Sequence, residues 1–595
     1  MCIRDSPQAF GLNDGQQQAV RSQARVTAVI AGPGTGKTKT LISHLGYLLQ
    51  GRKVKPSMIT AVTFTNKAAA ELKERLCREP GCKSAAGRIQ TGTFHGICLK
   101  MLQDSGMDSI LAEEGVQQEL AGQVKKEYEW AGSVQDFLLQ VSLAKTGENR
   151  ESCPAIEEYC RRMRELKLMD FDDLLVEALR LAENSEFQSS RFSYLLVDEF
   201  QDISPLQYRL IQAWNKFGRE LFVIGDPDQS IYGFRGSDAR CFDRLQSDFP
   251  DMQVIRLTEN YRSTGAVLRP ALQAISENPG PKRKLTPNKE SDIPVRVVKA
   301  GSGLAEAIFT AKEINRQVGG MDMLEAHGKY GGQENRKVRG FSDIAVLYRT
   351  HRQAELLEKC LQKESIPYIV AGREDYLQEQ QVQEALCFFR YLCCGDSAAG
   401  KQYLKLAWDL EGNQLSEAVL AEQAERYRPL LKKKPAVILG EWMREKRLEN
   451  HPAMQKLSGM AVFYKNIAEL LDAVRLGVES DLKRCGGKNY SADAVTLMTL
   501  HGSKGLEFPV TILYGVNKGE LPFEGRKGTA DAEEERRLFY VGMTRAKEEL
   551  ILTASGEPSI FLEGLEEAGV VWEEAGRKKN GGESVQLSLF DFMPE

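Results

Sequence analysis

Short apolar runs closed by turn signals punctuate the first half of the chain: Val26 to Ile30, Met58 to Phe64, Phe192 to Val197, Leu221 to Ile224 and Val254 to Leu257. Runs this short and this continuously apolar predict strands buried on both faces of a parallel sheet. Amphipathic stretches such as Asn66 to Leu76 alternate with them and predict helices, so the pattern reads as α/β. The same grammar returns later, with strands expected at Val295 to Val298, Ile344 to Tyr348, Ile366 to Val370, Val495 to Leu500, Val510 to Tyr514 and Leu550 to Thr553. Two α/β domains follow from this repetition.

Two long, charged stretches interrupt the pattern and read as helical insertions, giving a first domain of 1–100 with 190–260 and an insertion at 101–189. The second domain is expected over 261–389 with 491–565, its insertion over 390–490, and a flexible tail over 566–595. Gly319 to Gly340, rich in glycine and polar residues, predicts a surface loop.

Composition narrows the partners little. The 595 residues are 42% hydrophobic and 27% charged with a net charge of −4, so nucleic-acid binding would need local basic and aromatic clustering. No apolar run is long enough to predict a membrane span. The twelve cysteines include no C-x-x-C pair, which fits reduced thiols and a cytoplasmic location. The opening MCIRDS reads as an assembly remnant with no secretory leader.

The strand at Val26 runs into Gly32-Pro33-Gly34-Thr35-Gly36-Lys37-Thr38-Lys39 and then into a predicted helix. A glycine-rich loop between strand and helix turns backbone N–H groups toward phosphates, with Lys37 reaching the outer ones and Thr38 offering a hydroxyl to Mg²⁺. Ala31 stands where the strict pattern begins with glycine. LLVDEFQD delivers two adjacent carboxylates after a strand; Asp198 is placed to hold Mg²⁺ and Glu199 to orient and deprotonate an attacking water. Past the next strand, VIGDPDQSIYGFRG puts Gln229 where it can sense a γ-phosphate. Tyr232, Phe234 and Arg235 follow at once, either as a base-stacking surface or as core residues.

Together these segments resemble the UvrD/Rep/PcrA-type superfamily 1 DNA helicases. The match runs in order through LNDGQQQAV, AVTFTNKAAAEL, TGTFHGIC, DFDDLL, DEFQD and GDPDQSIYGFRG, then LTENYRST, DIAVLYRT, LMTLHGSKGLEF and EEERRLFYVGMTRAKEEL. The resemblance implies two RecA-like P-loop motor domains with parallel sheets, each interrupted by a mainly helical insertion. ATP and Mg²⁺ are the implied cofactors. Gln16 is expected to read the adenine edge, Tyr261 to stack on adenine, and Glu507 to contact the ribose. Arg262 and Arg545 resemble arginine fingers, planar and permanently charged donors for the γ-phosphate. Since Arg545 lies far from Lys37 in the chain, the resemblance implies a site completed by closure of the two domains.

For single-stranded DNA the resemblance points to Phe64, Thr65, Asn66, Thr93, Phe94, His95, Tyr232, Phe234 and Arg235 in the first domain. In the second it points to Tyr348, Arg349, Thr499, His501 and Ser503. His95 and His501 read equally as structural residues at element ends. His351 stands where the family usually has Asn, Phe234 replaces a common Trp, and the second insertion is short and lacks the family's internal patterns. In the tail, Gln586, Leu587, Ser588, Leu589 and Phe590 resemble the peptide that docks repair and replication proteins on the sliding clamp.

The implied activity is an ATP-dependent 3′–5′ DNA helicase and single-stranded DNA translocase of repair or replication, acting also on tailed duplexes and not at a membrane. The alternative is an ATP-gated switch that binds single-stranded DNA or the clamp with little processive unwinding. The short second insertion keeps that alternative open.

Overall fold

The computed structural model describes residues 11–107, 110–112, 114–147, 153–184, 190–280, 283–319, 339–372, 375–394, 417–476, 483–486, 493–525 and 528–575. The opening MCIRDS, nearly all of the Gly319 to Gly340 segment, and Gln586, Leu587, Leu589 and Phe590 lie outside the described residues. The chain divides into two units. The first comprises Met1–Thr258, Gln378–Lys433 and Asn466–Gly477, and the second Glu259–Leu377, Lys434–Lys465 and Val478–Glu595.

The first unit is built on a six-stranded sheet whose strands are β1 (Val26–Ala31), β2 (Ile59–Val62), β3 (Gln90–Gly92), β4 (Tyr194–Val197), β5 (Glu220–Gly225) and β6 (Gln253–Leu257). All pairings are parallel in the order β3-β2-β4-β5-β1-β6. Successive side chains point to opposite faces, and both faces are buried. Leu195, Val197, Leu221 and Val223 enter one core together with Phe94, Leu174 and Trp214. Tyr194, Leu196, Phe222 and Ile224 enter the other with Leu41, Leu45 and Leu72. Continuous apolar runs rather than alternation were therefore the correct strand signal. Strand β3 escapes that signal because Gln-Thr-Gly is polar and half-buried at the sheet edge.

The first insertion is helical as expected, with helices Glu114–Glu127, Val134–Thr146, Pro154–Glu165 and Phe171–Glu183. Ile110–Leu111 and Leu168–Met169 add a two-residue parallel pair. The DFDDLL segment has a structural explanation. Asp170 caps Phe171–Glu183 in a reciprocal capping box with Asp173, and Lys145 donates to both carboxylates at 2.5 and 2.8 Å, tying that helix to Val134–Thr146.

The second unit carries an eight-stranded sheet of β7 (Arg296–Lys299), β8 (Ile344–Tyr348), β9 (Tyr368–Ala371), β10 (Lys483–Gly486), β11 (Val495–Thr499), β12 (Phe508–Leu513), β13 (Ala546–Ala554) and β14 (Val571–Glu574). The order is β10-β9-β11-β8-β12-β13-β7-β14, parallel throughout except for the edge strand β10. Edge strands β10 and β14 were not anticipated. The chain is thus still part of the sheet at Glu574, beyond Leu565, where the tail was expected to begin. The stretch read as one second insertion divides between the units. Helix Gln380–Cys394 packs with Ile467–Leu476 in the first, whereas Pro452–Ala461 packs with Pro435–Glu445 and β10 in the second.

Beneath the phosphate loop, helix Lys37–Gly46 is pinned near its carboxyl end. His44, fully buried, stacks on Phe222 at 4.3 Å and bonds Glu220 Oε1 at 2.5 Å, while Arg52 meets the other Glu220 oxygen. A buried carboxylate facing two basic partners is costly to remove because its partners stay behind. Glu220→Ala is expected to lower unfolding free energy by about 3–5 kcal/mol, read as an earlier urea midpoint at unchanged m.

Candidate functional site

The phosphate loop follows β1, the Asp198–Glu199 pair follows β4, and the Gln229 segment follows β5, and these three strands are neighbours in the sheet. Parallel strands all end on the same side, so three segments far apart in sequence meet at one carboxyl edge. Gly34 and Gly36 take positive φ (67° and 83°), and Gly36 precedes helix Lys37–Gly46 with no side-chain cap on its first N–H groups. The helix start is thereby left to an anion. A Cβ on Gly36 would lie 2.7 Å from Gln16 Nε2.

Gln16 is buried in this site, but its amide serves the loop. Nε2 donates to the Thr35 carbonyl at 2.9 Å and Oε1 accepts from Asn13 N–H at 3.2 Å. Thr35 Oγ1 closes the turn onto the Gly32 carbonyl, and Lys39 is exposed, its Nζ on the Gly11 carbonyl. Pro33 is buried, and Lys37 Nζ faces Glu199 Oε2 at 3.3 Å. Glu199 has φ +49°, a left-handed backbone that a non-glycine residue adopts only against strain. Asp198 continues the strand by donating its N–H to the Val62 carbonyl.

Desolvation, reinforced by Glu199, pushes the Asp198 carboxyl up to about 7, and Lys37 offsets this in part. Desolvation and then Asp228 likewise push Asp226 up to about 6. Carboxyls crowded this way at the edge of a phosphate loop gain from a divalent cation, and the oxygen set suits Mg²⁺. Thr38 and Asp198 are the residues that would hold it. Gln229 donates its amide to Asp226 Oδ2 at 2.5 Å. Gln201, which carried no role in the sequence reading, lies between Glu199 and Asp226; only the fold shows that β4 and β5 bring those two within reach of one side chain.

Nucleic-acid candidates of the first unit follow β2, β3 and β5. Phe64 stacks on Tyr232 at 5.0 Å with planes 18° apart, Phe234 stands 60% exposed beside Tyr232, and Tyr232 itself is buried, which favours the core reading for it over the stacking surface. Thr65 and Thr93 serve as N-caps, accepting from Ala68 and Gly96 N–H groups. Asn66 opens helix Asn66–Arg78, and Arg235 closes the short turn Gly233–Arg235. Phe94 corrects the expectation: it is buried against Trp214 in the core, which removes its ring from bases. His95 sits edge-on to Phe171, and desolvation lowers its pKa to about 4.

In the second unit the candidates occupy opposite edges of the sheet. At the carboxyl ends, Tyr348 is fully buried with its hydroxyl 3.3 Å from His351 Nδ1, so its ring offers no face to a base. Arg349 grips buried Glu535 through Nε and Nη2 at 2.9 to 3.1 Å and lies over Phe523. Thr499 accepts from Gly502 N–H, Ser503 donates to the Leu500 carbonyl, and His501 is buried with them. Burial thus corrects the nucleic-acid contacts expected here: Tyr348, Thr499, His501 and Ser503 are buried and brace the loop after β11 and the end of β8. Glu535, in a run of acidic residues, was not singled out from sequence.

At the amino ends, Arg262 Nε meets Glu507 Oε2 at 2.7 Å, and Lys547 meets the other oxygen at 2.7 Å. Tyr261 is 41% exposed and donates its hydroxyl to Glu259. Arg545 departs most from expectation. Only 1% exposed, it donates to the Val541 and Leu506 carbonyls at 2.8 and 3.1 Å and to Thr544 Oγ1 at 3.2 Å. Contact with a phosphate requires those bonds to be exchanged.

A strand-loop-helix phosphate site with a carboxylate pair on the neighbouring strand, repeated sheet architecture and an aromatic pair beside the sensor loop define a nucleotide-driven motor. The UvrD/REP helicase N-terminal domain matches residues 12–114 and 116–250, and the UvrD-like helicase C-terminal domain matches 255–437 and 439–557. The chain belongs to the UvrD-like helicase family, with a mixed α/β fold of two motor domains. Similar proteins include the ATP-dependent DNA helicase PcrA of Bacillus subtilis, 29% identical over 93% of this chain and 84% of that protein. The ATP-dependent DNA helicase Rep of Escherichia coli is 28% identical over 97% of both chains, and DNA helicase II of Salmonella typhimurium is 30% identical over 91% of this chain and 84% of its own. No described helix is long and apolar enough to cross a membrane, and Cys77, Cys82, Cys98, Cys153, Cys160, Cys241, Cys360, Cys387 and Cys393 are free thiols.

The lowered His95 pKa has a defined pH consequence. The unfolded histidine takes up a proton near pH 6.5 and the folded one only near 4, so its contribution to stability is complete above about 6.5 and is lost as pH falls toward 4. His95→Phe is expected to flatten the thermal-unfolding profile between pH 6.5 and 4. Gly36→Ala, strained in φ and crowded by Gln16, is expected to weaken binding of a fluorescent ATP analogue at least about tenfold in a titration.

Proposed function

We propose that the protein is an ATP- and Mg²⁺-dependent DNA helicase that moves 3′ to 5′ along single-stranded DNA and opens duplex ahead of it, in repair or replication. The observation that carries this reading is the meeting, within the first unit, of Lys37 and Glu199 with a sensor loop that runs from Gln229 directly into the Phe64–Tyr232 stack. Lys37 and the loop N–H groups hold phosphates, Thr38 and Asp198 would hold Mg²⁺, which would supply charge neutralisation there, and Glu199 orients and deprotonates water. Phe64 and Phe234, braced by the buried Tyr232, provide sequence-tolerant stacking, about 1–3 kcal/mol per base. Arg262 and Arg545 act on the γ-phosphate once released from Glu507 and from the backbone carbonyls. The polarity and the repair or replication role rest on the family resemblance, and the relatives' printed names support ATP and DNA as fuel and track. The Gln586 to Phe590 segment is proposed as a sliding-clamp ligand, with Leu589 and Phe590 as its anchors.

Duplexes carrying a 3′ or a 5′ single-stranded tail test the reading directly. Unwinding with ATP and Mg²⁺ is expected from the 3′ tail alone, and Lys37→Ala is expected to lower the rate about 100-fold or more. Unwinding from the 5′ tail alone overturns the polarity, and single-strand-stimulated hydrolysis with no unwinding of either substrate favours the switch.

A further inference from the structure

Gln201 is completely buried and satisfies every polar group of its side chain across the gap between β4 and β5. Its Nε2 donates to Glu199 Oε2 at 2.7 Å and to Asp202 Oδ2 at 3.1 Å, consuming both amide protons, and its Oε1 accepts the Asp226 N–H at 2.8 Å. The amide orientation is unambiguous, because the reverse would face oxygen against two carboxylates and N–H against N–H. Its carbonyl accepts the Ser230 hydroxyl at 3.1 Å. Gly225 makes this approach feasible: a Cβ there would stand 2.3 Å from Gln201 Oε1 and 3.0 Å from the Phe200 nitrogen.

The partners lie on two different loops. Glu199 faces Lys37 in the phosphate site, whereas Asp226 accepts from Gln229 and begins the segment that ends at Tyr232, stacked on Phe64. We propose that Gln201 is a positioning residue that fixes the orientation of Glu199 and ties it to the Asp226–Phe234 loop. Nucleic acid stacked on Phe64 and on the exposed Phe234 thereby sets the rate at which Glu199 acts. This rests on the proposed helicase reading. A single fully bonded amide joins the two loops, so displacement of either is felt by the other through bonds that cannot all be kept.

The test uses the full chain, with steady-state ATP hydrolysis measured with and without an oligothymidylate. Gln201→Glu keeps the acceptor for Asp226 but replaces the donor to Glu199 by a carboxylate. Gln201→Met keeps volume and loses all three side-chain bonds. In Gln201→Glu, kcat is expected to fall roughly 10- to 100-fold with KM for ATP within about twofold, part of the 10²–10⁴ that a general base supplies, and the ratio of stimulated to basal rate is expected to fall, because the Glu199 end of the tie is lost. In Gln201→Met, kcat is expected to fall and the stimulation ratio to collapse toward unity, while oligothymidylate affinity by fluorescence anisotropy stays near wild type and Tm falls by a few degrees, because the buried Asp226 N–H and two carboxylates lose a partner. Wild-type kcat in both variants, retained stimulation in Gln201→Met, or losses shared equally among kcat, KM and DNA affinity overturn the proposal. If Gln201→Glu does not fold, Gln201→Met alone decides. Absence of oligothymidylate-stimulated hydrolysis in the wild-type chain instead defeats the helicase reading, so the two failures are distinguishable.

Discussion

A pair of carboxylates delivered by a buried strand to the edge of a phosphate loop is the constraint around which the first unit is arranged. Asp198 and Glu199 are forced together and out of water, and desolvation raises the Asp198 pKa to about 7. Lys37 answers that charge from the loop, and Gln201 holds Glu199 Oε2 from behind. The left-handed backbone at Glu199 is tolerable only because strand β4 and the turn Phe200–Asp202 fix it on both sides. Glycine at 225 answers the same crowding, since the backbone there approaches Gln201 more closely than a Cβ permits, and Gly36 is required separately by its positive φ and its approach to Gln16.

The second unit uses its sheet differently. Its carboxyl edge spends polar side chains on itself: Arg349 is bound to Glu535, and Thr499 and Ser503 are bound to the backbone of their own loop. Its amino edge collects Arg262, Glu507, Lys547 and Arg545, all held by local partners. A guanidinium bound to carbonyls gains several bonds that any ligand must replace, so Arg545 is a stable structural residue in this state. The same five donors that suit it to a phosphate make it easy to satisfy internally.

Much of the nucleotide site was readable because its parts are continuous in the chain. Strand, loop, Lys37 and Thr38 follow one another, and an apolar run before Asp198 and Glu199 announces their position at a strand end. The aromatics were harder. Phe64, Phe94, Tyr232 and Tyr348 each lie within the motif segments or at strand ends, yet Phe64 and Tyr232 stack on each other whereas Phe94 packs on Trp214 and Tyr348 lies in the core. Local sequence does not say what covers a ring. Strand β3 was missed for a related reason: a polar edge strand is held by one neighbour's backbone and needs no apolar side chains to declare it.

By itself the sequence determined the α/β grammar, the phosphate loop, the carboxylate pair and the family, because each depends on residue types at short and constant spacing. Tertiary structure alone decided which side chains meet. Gln201 reaches Asp226 because β4 and β5 are adjacent; Arg262 reaches Glu507, 245 residues away, because its turn is bonded through Ser263 and Thr264 to the start of β13, beside the start of β12. Hydrogen bonds and burial depend on strand order and sheet face, and neither is written in local spacing.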